Sequence, residues 1–300
     1  MFSSKSGAVG LSLAVVIGLF VLKVVAGVIT GSLSILAQAA DSFLDLFAVA
    51  VTFVAIRIAV KPADGEHPFG HGKVENIAAI TQAALIFIAS GLIIYSAVRR
   101  LITGTVMELT EVGIGVMLVS IVASIFLSRH LLKVSRAVDS AALEANAHNI
   151  AADVYSAAAV LTGLVVVRFT GLRIIDPIIA LGVALLILKV AYDVLRRSFG
   201  ELIDVKLPEA EESAIRSSIM AHGGELVSFH KLRTRKSGNQ RYVDLHVVMP
   251  KEISVEEAHQ LCDHLEQDIG NKLRHANVTI HVEPCAEECD RCTVICNWRR

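Results

Sequence analysis

Two aspartates, Asp41 and Asp45, sit in the middle of the apolar run AQAADSFLDLFAVA. Four residues apart on a helix, their carboxylates leave one face about a turn from each other. An ionised Asp at the centre of a membrane helix costs roughly 2.5–3.5 kcal/mol on insertion scales. A pair on one face therefore calls for a protein interior, a water-filled cavity or a cation. The segment EANAHNIAADVYSAAAV repeats the device with Asn149 and Asp153. Two helices that each offer an i,i+4 pair of oxygen donors can close a four-ligand metal or proton site inside a bundle. Read singly, each pair also suits interhelical hydrogen bonding. His148 precedes Asp153 by five residues, about 140° around a helix, and falls on another face.

Three further groups carry metal-ligand chemistry. In the polar loop KPADGEHPFGHGKVEN, Asp64, His67 and His71 are spaced D-x2-H-x3-H, and imidazole with carboxylate suits zinc and its first-row neighbours. Toward the C-terminus, His230, His246, His259, His281 and Glu283 fall within one small domain and could converge on one edge of it. The last segment, PCAEECDRCTVICNW, spaces Cys285, Cys289, Cys292 and Cys296 as C-x3-C-x2-C-x3-C. In a reducing cytoplasm such a cluster reads as a thiolate site for zinc or an iron–sulfur cluster rather than a set of disulfides. Cys262, alone on an amphipathic segment, reads as core.

These residues need a scaffold, and the composition supplies one. The chain of 300 residues is 54% hydrophobic, with a mean hydropathy of +0.60 and 19% charged residues. That is the profile of a polytopic membrane protein with a soluble portion. A net charge of −1 gives no sign of a nucleic-acid partner. Apolar spans of bilayer length, about twenty residues, are predicted at 8–30, 33–58, 77–100, 111–132, 142–168 and 174–196. The first is longer than the 7–15 apolar residues of a signal peptide and reads as an uncleaved span. The sixth opens on Asp176-Pro177, read as an N-cap and a first-turn proline. With the N-terminus inside, Lys5, Arg57, Lys61, Lys73, Arg129, Lys133, Arg136, Arg196, Arg197 and Lys206 fall on the cytoplasmic side. Only Arg99, Arg100, Arg168 and Arg173 fall on the other. The asymmetry favours both termini in the cytoplasm, and the expected location is the cytoplasmic (inner) membrane.

After about residue 205 the pattern turns soluble. An amphipathic helix is followed by two strands joined at Lys236-Ser237-Gly238-Asn239, a second helix opened by the capping pair Ser254 and Glu257 and running to about His275, and a final strand NVTIHVEP. The order αββαβ predicts an α+β layer with helices on one face of a three-stranded sheet. The expected division is 1–204 membrane bundle, 205–284 cytoplasmic domain and 285–300 cysteine-rich tail.

With these residues in view, the chain resembles the cation diffusion facilitator (CDF) family, and within it the YiiP-type bacterial branch, from the first span to Pro284-Cys285. The resemblance rests on ADSFLDLFAVAVTFVAIRIAVKPADGEHPFGHGKVENIAA, EANAHNIAADVYSAAAV and HKLRTRKSG with the strands that follow. It implies six spans, a metallochaperone-like cytoplasmic domain, a homodimer, and export of divalent metal in exchange for protons. It maps a transport site to Asp41, Asp45, Asn149 and Asp153, a loop site to Asp64, His67 and His71, and a dimer-bridging site to His230, His246, His259, His281 and Glu283. It also implies an interdomain salt bridge between Lys73 and Asp204. Two departures stand out: zinc exporters of the family usually carry His where this chain has Asn149, and Glu283 replaces an Asp. The cysteine-rich tail lies outside the common pattern.

The sequence is thus read as a secondary active transporter, a proton-coupled exporter of divalent transition metal rather than an enzyme. Three carboxylates and an amide oxygen make a harder site than one with imidazole, which favours manganese or iron(II) over zinc. A zinc or cadmium exporter of the same family is the alternative within that class. A non-transporting metal sensor or scaffold, and a redox protein built on the cysteine tail, are alternatives outside it.

Overall fold

The computed structural model describes residues 4–30, 33–103, 111–170 and 174–285. Six long helices come first: α1 (Lys5–Thr30), α2 (Leu33–Ala59), α3 (Val74–Thr103), α4 (Glu111–Val138), α5 (Ala141–Thr170) and α6 (Ile175–Leu202). Each predicted span lies on one of them, and several helices run beyond the apolar stretch into polar turns. Among the described residues, five are long and apolar enough to cross a membrane by length and composition. The sixth, α5, carries Glu144, Asn146, His148, Asn149 and Asp153 in its first half, and the sequence of its second half, AAAVLTGLVVV, is apolar. Helix α6 begins at Ile175, with Asp176 and Pro177 in its first turn.

Backbone contacts divide the chain into two compact units, Met1–Phe199 and Gly200–Arg300. In the first, α1, α2, α3, α4 and α5 share an apolar core that includes Val49, Ile56, Leu131 and Leu143. Ile86 of α3 packs with Ile187 and Ala191 of α6 in a smaller cluster. Small residues dominate the buried positions, among them Ala78, Ala79, Ala83, Ala142, Ala145 and Ala147. Lipid is as apolar as leucine, so close backbone approach rather than water exclusion drives such packing. The large side chains Phe47, Val54, Ile88, Leu92 and Phe126 are accordingly exposed.

Polar side chains tie the helices together. Gln82 of α3 donates to the Ala48 carbonyl at 2.6 Å and to Thr52 Oγ1 at 2.8 Å. Asn146 of α5 donates to Ser12 of α1 at 3.0 Å. At the end where α1, α3 and α5 begin, the buried Glu75 carboxylate accepts from both Lys5 Nζ and Ser140 Oγ. The sequence marks Glu75 only as an acid in a first helical turn. Its burial is tolerable because both oxygens have donors.

The second unit holds α7 (Glu209–Ala221), β1 (Ser228–Ser237), β2 (Gln240–Met249), α8 (Val255–Lys272) and β3 (Ala276–Pro284), the predicted αββαβ order. The sheet order is β1-β2-β3, with β1 antiparallel and β3 parallel to β2. Gly238, at φ +60°, starts the two-residue hairpin turn that only a residue tolerant of left-handed backbone fits easily. The capping box forms as read: Ser254 accepts from the Glu257 amide at 3.2 Å, and Glu257 accepts from the Ser254 amide at 3.0 Å. The Ser254 amide, and then its hydroxyl at 2.8 Å, donate to the Glu257 carboxylate and hold it below its usual range. Val243, Leu245, Val247 and Met249 alternate inward from β2 to meet Ile215 and Ile219 of α7 and Leu261, Cys262, Leu265 and Ile269 of α8. Period-2 alternation leaves the other residues of β2, His246 among them, on the face away from the helices.

Candidate functional site

Within the membrane unit, Asp45, Asn149 and Asp153 line one cavity of about 540 Å³. Asp45 is half-buried, Asn149 buried and Asp153 exposed into that space. Asp41 lies on α2 one turn before Asp45, and its side chain is outside the described residues. His148 is not among the described residues that line the cavity, as the helical spacing requires. The lining runs over Val16–Lys23 of α1, Ser42–Ala48 of α2, Leu85–Arg100 of α3 and Asn149–Val160 of α5. It therefore occupies the middle of the bundle and the half remote from the Lys5–Glu75–Ser140 contact. Lys23 of α1 also lines this cavity, with Ser42 and Arg100. The signal was present as a lone lysine inside an apolar run.

The loop between α2 and α3 brings Asp64, His67 and His71 together, with donor atoms within 4.8 Å of one another. Asp64 Oδ1 lies 3.2 Å from His67 Nδ1, and Asp64 Oδ2 lies 3.4 Å from His71 Nε2. The loop closes on itself through His67 N–H to Asp64 Oδ1 at 2.7 Å, and Gly70, at φ +76°, turns the chain back. The amide of His67, followed by its ring, holds the Asp64 carboxyl below the usual range. A carboxylate kept ionised beside two imidazoles is a suitable cation ligand set.

On the open face of the sheet, backbone register aligns the second group. His230 is opposite His246 across the antiparallel pair, and His246 is opposite His281 across the parallel pair. Three histidines thus occupy one rung, and Glu283 lies two residues on from His281, on the same face. Glu283 approaches His246 at 2.7 Å, His230 at 3.2 Å and His281 at 3.8 Å. Donors on a tetrahedral ion with bonds of about 2.0–2.2 Å stand about 3.3–3.6 Å apart, and the observed spacings bracket that range. Hydrogen bonding from His246, then the neighbouring imidazoles, lowers the Glu283 pKa. A bulge next to His230, with Lys231 at φ +51°, sets two residues of β1 against one of β2 and keeps His230 on the rung.

His259 does not join this rung. It lies on α8, which packs against the opposite face, is 74% exposed and faces Asp263 at 3.7 Å. Five histidines and acids in one small domain do not share one edge, because the helix layer separates them. Of the tail residues, Cys285 is half-buried and its amide donates to the Met249 carbonyl at 2.9 Å. Cys289, Cys292 and Cys296 lie outside the described residues. The two members of the expected salt bridge fall on different units. Lys73 ends the loop before α3, and Asp204 sits 3.7 Å from Arg235.

Residues 9–203 match the cation efflux transmembrane domain, and residues 207–285 match the cytoplasmic domain of cation efflux proteins. An uncharacterised transporter of Synechocystis is 34% identical over 263 residues, covering 88% of this chain and 85% of that protein. The cation-efflux pump FieF of Pectobacterium atrosepticum is 34% identical over 274 residues, 90% of each chain. FieF of Salmonella typhi is 33% identical over 268 residues, 89% of each. The matched bundle, followed by a matched cytoplasmic domain, makes this a multi-pass membrane protein whose C-terminal domain is cytoplasmic. The chain belongs to the cation efflux (CDF) family and is a transporter for the efflux of divalent metal cations, not an enzyme.

Proposed function

We propose that the protein exports divalent transition metal from the cytoplasm in exchange for protons, with manganese or iron(II) preferred to zinc. The observation that carries this reading is the meeting of Asp45, Asn149 and Asp153 on the wall of one cavity within the bundle. Asp41, one helical turn from Asp45, completes an Asp-Asp-Asn-Asp set. Metal ligation requires deprotonated carboxylates, so metal and protons compete for the same oxygens, and the two fluxes couple without covalent chemistry. The preference follows from the donors: carboxylate and amide oxygens suit hard cations, whereas zinc gains more from imidazole. The protein works as a homodimer in the cytoplasmic membrane with both termini inside. Metal at the His230–His246–Glu283 cluster, with His281 as a further ligand, would bias the membrane equilibrium to the extent that it binds two conformations with different affinities.

Purified protein in proteoliposomes, given manganese, iron(II), cobalt, zinc and cadmium in turn under an imposed pH gradient, tests this directly. The expected result is flux that follows the gradient and ranks manganese or iron(II) first. Binding without flux would identify a sensor or scaffold. Flux with zinc ranked first would leave export standing and overturn the preference.

A further inference from the structure

We propose that Lys23 is a tethered competitor for the transported metal, holding down the affinity of the transport site so that the ion is released from it. The proposal rests on the transport-site reading above. Lys23 lies well inside the apolar stretch of α1, where an ammonium is costly unless it faces a cavity or a partner. It has both. Its Nζ donates to Ser42 Oγ at 2.6 Å, and it lines the same cavity as Asp45, Asn149 and Asp153.

Ser42 fixes where the charge stands. It is 3% exposed, follows Asp41 directly and precedes Asp45 by three residues on α2. The Ser42 hydroxyl anchors the ammonium on the wall of the cavity that Asp45, Asn149 and Asp153 also line. In a low-dielectric cavity wall, unlike bulk water, charge–charge terms between such neighbours are weakly screened. A fixed +1 charge there repels an entering dication and opposes its retention. It also compensates the carboxylates once the metal has left, so the empty site is not left as uncompensated buried charge. The cavity extends from the middle of the bundle into the half remote from the ends at which α1, α3 and α5 begin, the side on which an exporter must let go.

The test compares Lys23→Gln, Lys23→Met and Lys23→Arg with the unaltered full-length protein in proteoliposomes, using Mn2+ and Zn2+ separately as probes. Initial rates are read against metal concentration. Loss of the charge is expected to lower the apparent KM about tenfold and to lower the maximal rate, while Lys23→Arg stays close to the parent on both. Unchanged kinetics in Lys23→Gln, or a lower rate with KM unchanged or raised, overturns the proposal. Ser42→Ala supplies a second route should the lysine variants fail to purify as dimers. Releasing the anchor should lower KM in the same direction, and an unaltered KM there counts against the proposal. Asp153→Ala run in parallel separates the two levels: wild-type flux from that variant defeats the transport-site reading itself, whatever Lys23 does.

Discussion

Asp45→Ala and Asp153→Ala are each expected to reduce metal flux by more than about 100-fold, beyond the usual effect of altering a residue behind the ligands. Each removes one of three charged donors from a site whose fourth member is neutral. The remaining donors then face a dication with too little charge and one open position. Folding should survive: Asp153 is exposed into the cavity, and neither residue belongs to the apolar core that joins α1 to α5. Flux in proteoliposomes, together with the elution volume of the purified variants, checks both halves. Near wild-type flux from either variant that elutes as a dimer would remove the assignment.

Asn149→His should shift the ratio of zinc to manganese transport by on the order of tenfold, equivalent to about 1.4 kcal/mol of relative binding. Asn149 is buried and lines the cavity with Asp153, one helical turn away. An imidazole there adds a borderline donor that zinc favours, and one that can itself take up a proton. His148→Ala is the control. That residue is not among the described cavity residues, so selectivity should stay put. Transport assays over both metals decide the matter: an unmoved ranking in Asn149→His beside a lost ranking in His148→Ala would mean the helix register proposed for the site is wrong.

Much of the architecture was legible because its signals are local. Twenty-residue apolar runs, the Ser254–Glu257 cap and the Gly238 turn each act within a few residues, and each formed where the sequence placed it. The i,i+4 spacing of Asn149 and Asp153 likewise set their shared face. What stayed hidden depends on elements distant in sequence. No spacing rule relates Lys5, Glu75 and Ser140, which meet only because α1, α3 and α5 begin at one end of the bundle. The same holds for Lys23 and Ser42, nineteen positions apart on successive helices. The histidines of the cytoplasmic unit were countable, but which of them share a face depends on the β-sheet register and on which side the helices cover. That layer order puts His259 on one side and the His230–His246–His281 rung on the other.

The parallel pairing of β3 with β2 also fixes the order in which that rung can be assembled. β1 and β2 are joined by a two-residue turn, so His230 and His246 can meet through a short-range hairpin. Glu283 and His281 arrive only after the chain has passed through α8, a non-local closure that comes late and slowly. A metal that needs Glu283 therefore finds its full ligand set only beyond the folding barrier. Such a ligand retards unfolding without accelerating folding. Rapid-mixing kinetics of the cytoplasmic unit should accordingly show an unfolding limb that slows as metal is added and a refolding limb that does not move.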